Sequence, residues 1–441
     1  MPRPAPGEVG GATLLLEDAL VLTLDEQIGG GRLSVAVRDG RIVAVDEGTV
    51  LRQRFGDAER FDCSGSVLLP GLVNAHLHPE VHVLKGVVEE LGLHDWADQE
   101  RLDAALAHLG SEEGRWIQRA GIRAALADCL LGGTTCVATY GITAGADQVA
   151  AEVVQELGLR GHLTIRDVEF TPPTPDRTGS LPYFYRLHAE EALTAVELER
   201  AAAAHRRGER LVMHAAETAR RLQLVRTAFG TTTIRLLERY GLLSPRVLLS
   251  HAIHVDEEEM KLLAARGSAI VSSPTSEMKL SDGIAPIVEY VRSDVPVALG
   301  TDCAICNNSN DMLLEARQLG LVQKLRYGAE AVPAEQILRM ATRGGAFALG
   351  EGGEYGVIEA GRSADLILVA TDNARLQPLV HRGEYSNIAS NLVYAATGQD
   401  VTDVMVRGRW LVRERRLLSA DASRIWEELG RAAEALYDRI L

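Results

Sequence analysis

Short alternating segments open the chain. Short strand-like pieces lie at 13–16, 19–23, 33–38, 41–46 and 60–62, and Gly, Asp and charged turns separate them. Period-two patterning puts successive side chains on opposite faces, so residues 1–69 are expected to form a β-rich module. Near residue 70 the period changes. Helical stretches rich in Ala, Leu, Glu and Arg, such as 112–131, alternate with short apolar strands at 134–138, 160–164, 210–214, 247–251, 269–273 and 296–301. Some eight strand–helix alternations predict a TIM-like (β/α)8 barrel over 70–355. Strand patterning returns at 356–359, 364–369, 401–406 and 409–412. The simplest assembly joins residues 356–420 to the N-terminal strands as one small β-sandwich built from both chain ends. Residues 421–441 read as a final amphipathic helix. The fold class is α/β.

Composition narrows the function without naming it. The 441 residues are 46% hydrophobic and 24% charged, as in a soluble globular protein. A net charge of −15, with no Lys/Arg block, argues against a nucleic-acid partner. No run of about 18 apolar residues exists, so no membrane span or membrane partner is expected. The first 11 residues are rich in Pro and Gly and lack an apolar core, unlike a secretory signal. The five cysteines are an odd number and no disulfide framework, which points to a reducing cytoplasm. Cys303-x-x-Cys306 has no second pair beside it, so it reads as two small buried thiols.

The candidate chemistry lies where the strands end. His76 and His78 close the run from Val67 and sit at i and i+2, so both rings share one face of the strand. His214 ends the strand 210–214, and Glu217 follows three residues later. His251 ends 247–251, and Asp302 follows 296–301. Barrel enzymes carry their sites at the C-terminal ends of the strands, so these groups converge there. Converging imidazoles with a carboxylate are expected to hold a transition metal.

The motifs that carry these residues resemble the amidohydrolase superfamily. The matching runs are Pro70-Gly71-Leu72-Val73-Asn74-Ala75-His76-Leu77-His78, His214-Ala215-Ala216-Glu217-Thr218 and Ser250-His251-Ala252-Ile253-His254. Met278-Lys279-Leu280 with Gly283-Ile284-Ala285-Pro286, Leu299-Gly300-Thr301-Asp302, Ala341-Thr342 with Gly345-Ala346, and Gly361-Arg362-Ser363-Ala364-Asp365-Leu366 follow in order. Within the superfamily the chain is similar to the branch of S-adenosylhomocysteine/methylthioadenosine deaminases and triazine chlorohydrolases. The resemblance implies that His76, His78, His214 and Asp302 hold one divalent metal per chain. Zinc suits that set, and iron or manganese accept the same ligands. It implies further that Glu217 shuttles protons, that His251 faces the reacting water, and that Asp302 accepts its proton.

Deamination of an amino-substituted heteroaromatic ring, such as a purine, pterin or related base or nucleoside, is the expected reaction. A triazine chlorohydrolase or cyclic amide hydrolase is the alternative on the same site. An inactive binding protein is the alternative from another class, and the full set of ligands with Glu217 and His251 argues against it. The partners expected are a small heterocycle and water, in a homodimer or homotetramer.

Departures from the branch mark candidate substrate residues. Glu80 and His82 follow the His76/His78 pair in an unusual run, where exposure on a loop is the first expectation and a pocket role the second. The segment after Trp96 is short, leaving Asp98 or Glu100 to meet a ribose, so an altered nucleoside pocket is expected. Glu277 stands where relatives carry Asn, and Cys303 adjoins a metal ligand. Arg166, Tyr183, Tyr185, Arg186 and His188 border a polar, Pro-rich stretch whose equivalents in the branch contact substrate. His254 and His162 are expected to serve packing.

Overall fold

The computed structural model describes residues 11–25, 27–97, 99–165, 181–187, 189–382 and 385–440. Five strands come first: β1 (Leu14–Leu22), β2 (Gly30–Arg38), β3 (Arg41–Asp46), β4 (Glu59–Asp62) and β5 (Ser66–Pro70). Gly71 then separates β5 from β6 (Leu72–His78), because a Cβ there would lie 2.1 Å from Thr135 Oγ1. The barrel continues through β7 (Thr134–Thr139), β8 (Arg160–Ile165), β9 (Tyr183–Arg186), β10 (Arg210–Ala215), β11 (Val247–His251) and β12 (Ala269–Ser272). Its last strand is broken into β13 (Val297–Leu299) and β14 (Asp302–Cys303).

All barrel pairings are parallel. β13 pairs β12, whereas β14 pairs β6, so the two pieces of one strand close the ring. The break has a steric cause. A Cβ on Gly300 would meet His76 Cβ at 2.7 Å and the His76 backbone at 2.8 Å. Asn74 stitches the gap, with Nδ2 donating to Thr301 Oγ1 at 2.7 Å and Oδ1 accepting from Thr301 N at 3.1 Å. Glycine thus lets the last strand press against the first where the two histidines must converge. The barrel interior is filled by small and branched residues, among them Val73, Ala75, Cys136, Val212, Leu248, Val271 and Ala298.

β9 is a strand beside a polar, Pro-rich stretch whose sequence predicts none. Its four residues fall below the length at which periodicity is legible, and the polar Pro-rich stretch before it masks the aromatic signal of Tyr183-Phe184-Tyr185. Phe184 and Arg186 point inward and are buried, while Tyr183 is exposed.

The chain ends meet in one nine-stranded sheet. β15 (Leu366–Ala370) pairs antiparallel with β5, and β18 (Val401–Val406), β19 (Arg409–Arg413) and β20 (Arg416–Leu417) follow outward. A separate ladder joins β16 (His381–Arg382) to β17 (Tyr385–Ser386). On the other side β1 changes partner along its length, taking β4 at Leu14–Glu17 and β5 at Leu20 and Val21. The sheet curls until Gly40 lies against Arg407, where a Cβ would come within 2.8 Å of the carbonyl oxygen. One face encloses Leu16, Val35, Leu68, Leu366 and Met405. The opposite face, with Val67, Leu69, Ile367 and Val401, merges with the core under the barrel helices. Arg160 of β8 ties barrel to sheet, with Nε donating to the buried Asp365 at 2.6 Å. The C-terminal helix Ala422–Ile440 seats Ala432 and Leu436 against the apolar cluster of Val81, Val83 and Leu84. Among the described residues no helix is long and apolar enough to cross a membrane.

Candidate metal centre

Four ligand-capable side chains meet at the C-terminal mouth of the barrel. The ligand atoms of His76, His78, His214 and Asp302 all lie within 4.8 Å of one another, and all four residues are buried. His76 Nε2 and His214 Nε2 face each other at 3.1 Å. Asp302 Oδ1 is 3.2 Å from His78 Nε2 and 3.6 Å from His76 Nε2. The far side of each group is also held. His78 Nδ1–H donates to the Tyr140 carbonyl at 2.5 Å, which leaves Nε2 as the free lone pair. Ser250 Oγ sits 3.1 Å from His76 Nδ1, and Ser276 Oγ donates to Asp302 Oδ2 at 2.6 Å. Outer partners of this kind fix tautomer and ring orientation in metal sites.

Electrostatics agree with the donor set. Burial pushes His76 down to about 4 and drives His214 well below its usual range, so both are neutral bases at neutral pH. Asp302 resists burial through its contacts with His76 and His78 and stays well below the usual carboxylate range. Burial opposes charge on His78, but Asp302, Glu80 and the Tyr140 carbonyl outweigh it and raise its pKa, so this imidazole gives up a proton when it binds a cation. Three imidazoles and one carboxylate packed this closely fit a divalent cation of zinc-like preference.

Glu217 and His251 line the same mouth. Glu217 Oε1 is 3.6 Å from His251 Nε2, and Glu277 Oε1 is 3.7 Å from His251 Nδ1. Burial opposes charge on His251, but Glu217, Glu277 and Asp302 outweigh it and lift the imidazolium to about 10. Glu277 is itself fixed, accepting from Ser273 N at 2.8 Å and Ser272 Oγ at 3.1 Å. His251 and Asp302 occupy left-handed backbone, at φ +69° and +60°. Such strain costs roughly 1–3 kcal/mol per residue and gathers at functional sites.

Above these groups opens a cavity of about 250 Å³. Val81, Leu93, Ile142, Leu187 and Leu280 form apolar walls, and Tyr140, Arg186 and Arg221 add polar ones. The fold, the ligand set and the cavity agree with comparison to known proteins. The amidohydrolase family model matches residues 67–411.

The chain belongs to the amidohydrolase family.

A 5-methylthioadenosine/S-adenosylhomocysteine deaminase of Syntrophobacter fumaroxidans is 33% identical, over 96% of this chain and 98% of that protein. A 5'-deoxyadenosine deaminase of Methanosarcina acetivorans is 31% identical, over 97% and 99%. Among solved structures, an adenosine deaminase from Xanthomonas campestris with bound zinc superposes at a TM-score of 0.86 and 30% identity, covering 98% of this chain and 99% of the other. A zinc-complexed atrazine chlorohydrolase from Arthrobacter aurescens gives 0.84 and 26%, over 95% and 100%.

The structure places the amidohydrolase's other sequence-predicted residues unevenly. Glu80 and His82 are buried in the 3-10 turn Pro79–Leu84, not exposed on a loop, and neither lines the cavity. Glu80 accepts from Ile142 N at 2.5 Å and so fixes a wall residue. His82 Nδ1 meets Asn310 Nδ2 at 3.3 Å, and that amide also donates to Asp128. Two apolar neighbours, Val81 and Val83, pull this turn inward. Glu100 opens the exposed face of helix Glu100–Leu109, away from the cavity, so it cannot meet a ribose there. Glu277 stands behind His251 and does not line the cavity. Cys303 and Cys306 both line it, and where the sequence predicts two separate thiols their sulfurs meet as a pair across a turn that holds the Cα atoms 5.4 Å apart. His254 packs on the Asp282 carbonyl at 2.9 Å, and His162 is buried within the fold. Arg166, His188 and Asp98 lie outside the described residues, as does the side chain of Trp96.

Sequence reasoning missed Tyr140 and Arg221. Tyr140 follows β7, a strand end like the others. Arg221 lies four residues after Glu217, the spacing at which helical side chains pair. Its Nη1 donates to Glu217, and its Nη2 donates to Glu191 at 2.6 Å.

Proposed function

We propose that this amidohydrolase is a metal-dependent deaminase of an amino-substituted heteroaromatic ring. The observation that carries the reading is the carboxylate of Glu217, poised 3.6 Å from His251 beside the four-ligand cluster at the floor of a largely apolar cavity. His76, His78, His214 and Asp302 would hold the metal, zinc by preference, which when bound supplies Lewis-acid activation of water. Asp302 keeps Oδ1 towards the cluster while Ser276 holds Oδ2, which fixes the carboxylate that would take a proton from the water. His251, charged and anchored on Glu277, donates to the oxygen that gains negative charge as water adds to the ring carbon. Glu217 takes one proton of the water to the ring nitrogen, and then passes the proton accepted by Asp302 to the leaving amine. Arg221 orients it by binding one oxygen, leaving the other towards His251. Ammonia departs and the ring keeps a carbonyl.

In this reading the protein is a cytoplasmic homodimer or homotetramer whose partners are the heterocycle and water. The test is ammonia release by zinc-loaded enzyme from adenine, guanine, pterin, melamine, adenosine and S-adenosylhomocysteine. Release from at least one ring is expected. No ammonia from any of them, with chloride released from a chlorotriazine, would replace the reading by the chlorohydrolase alternative, which the structural neighbour favours. Among the described residues no carboxylate outside Glu217 and Asp302 lines the cavity. Efficient turnover of adenosine or S-adenosylhomocysteine would therefore contradict the expectation of an altered nucleoside pocket.

A further inference from the structure

Two side chains of the cavity are not used by the deaminase reading. Cys303 and Cys306 are 5% and 2% exposed, and both line the cavity beside the metal centre. Asp302 immediately precedes Cys303, and its ligand oxygen lies within 4.8 Å of both sulfurs, as it does of the three histidines. One carboxylate therefore belongs to two clusters, one of imidazoles and one of sulfurs. The turn that carries the sulfurs is fixed from outside. Lys279 Nζ donates to the Ile305 carbonyl at 3.0 Å, and Asn307 Nδ2 donates to the Thr301 carbonyl at 2.7 Å. Within the turn, the backbone N–H of each cysteine points at the other's sulfur at 3.2 Å. Amides aimed at sulfur stabilise negative charge on it, as cation binding requires. The other three cysteines, Cys63, Cys129 and Cys136, are buried and do not line this cavity. Burial lifts the thiols of Cys63 and Cys136 to about 12, so they stay protonated and offer no ligand.

We infer that the reduced Cys303/Cys306 pair, with Asp302, forms a second cation site beside the catalytic one, and that a thiophilic divalent cation bound there stops turnover. The site is closed while the two sulfurs are bonded to each other. A dithiol reductant opens it: the S–S bond breaks, two thiols form, and the dithiol becomes a disulfide. The incoming cation displaces both thiol protons to solvent and bonds two thiolates and an oxygen of Asp302. Two soft sulfurs select zinc or cadmium over magnesium and calcium, which prefer oxygen alone. The effect on turnover follows from the shared carboxylate. Asp302 tied to a second cation is a weaker base for the proton of the water. The cation also takes up space at the wall where the ring must approach. Binding stands without the deaminase reading, and only the loss of turnover rests on it.

The test uses full-length, zinc-loaded enzyme in two states: oxidised, and reduced with a phosphine that is then removed without air. Each is titrated with cadmium chloride. Zinc and cadmium content, thiolate-to-cadmium ultraviolet absorption and ammonia release are read together. The four catalytic ligands include no sulfur, so the absorption reports the new site alone. Reduced enzyme should keep its zinc, bind about one cadmium per chain, gain the absorption and lose ammonia release by at least about 10-fold. Oxidised enzyme should show none of these changes. Cys306→Ser should bind cadmium at least about 100-fold more weakly and lose most of the absorption. The comparison of the two oxidation states needs no variant, so it decides even where Cys306→Ser folds poorly. Reduced enzyme that takes no cadmium, takes it without the absorption, or keeps its full rate with the site filled would overturn the inference. Enzyme inactive on every heterocycle, yet with the cadmium and the absorption present, would overturn the deaminase reading and leave the site standing.

Discussion

The two sides of the cavity are built by different means. On the metal side the four ligands come from three strands, β6, β10 and β14, and three of them are held from behind by Tyr140, Ser250 and Ser276. On the opposite side the wall hangs on a four-residue strand, a 3-10 turn and the first turn of a helix. Strand ends locked by outer partners tolerate little displacement, which metal coordination demands. Short elements and turns can change side chains without disturbing the barrel, which is where a family varies its substrates. The contrast separates a metal side whose geometry is fixed by the barrel from a wall whose side chains can vary without disturbing it.

Four perturbations test that division. The largest effect is expected from His214→Ala. It should remove turnover and lower bound zinc from about one per chain to background, as measured by elemental analysis of gently purified protein. Full metal retention would separate His214 from the centre. Glu217→Gln should lower kcat by about 10³- to 10⁴-fold while zinc content stays unchanged. Wild-type rates in that variant would take the shuttle role from Glu217. Glu277→Gln belongs behind the metal side, so kcat should fall by about 10- to 100-fold with KM little changed. A change confined to KM would instead place Glu277 against substrate.

The smallest effect concerns support for the loop after β14. Glu315 accepts from Asn307 Nδ2 at 2.7 Å and Thr275 N at 3.2 Å. Burial outweighs those bonds and lifts its carboxyl from 4.5 to about 8. With the folded value above the unfolded one, its contribution to stability is fully present below pH 4.5 and is lost as pH rises towards about 8. Glu315→Gln removes the titration. The melting temperature of the variant relative to wild type should therefore rise by several °C between pH 5 and pH 8.5, for a linkage on the order of 4 kcal/mol. A constant difference would show that Glu315 titrates in the folded protein as it does in the unfolded chain.

Some of the site was legible because its residues obey local rules. His76 and His78 share a strand face by the two-residue period, and His214, His251 and Asp302 each follow a short apolar run. Glu80, His82 and Glu100 could not be placed that way. Whether a polar residue after a strand faces water, a backbone amide or the cavity depends on elements far away in sequence. Ile142, 62 residues from Glu80, supplies the donor that buries it. Arg221 pairs locally with Glu217, but its partner Glu191 lies 30 residues back. The bond between Cys303 and Cys306 was missed for another reason. Spacing allows the turn, and only the conformation of 303–306 decides whether the two sulfurs meet.

By itself the sequence determined the alternation of strands and helices, the β-rich chain ends, the family, and the residue types at the strand ends. These depend on period, composition and short motifs, which are properties of neighbours along the chain. The tertiary structure alone decided that the last strand breaks at Gly300 to press Asp302 against the histidines. It also made β9 a strand that carries Arg186 to the cavity, and turned Glu80 and His82 into buried supports of the wall. Each of those outcomes is a steric or electrostatic contact between segments tens to hundreds of residues apart, and no local pattern encodes where such segments meet.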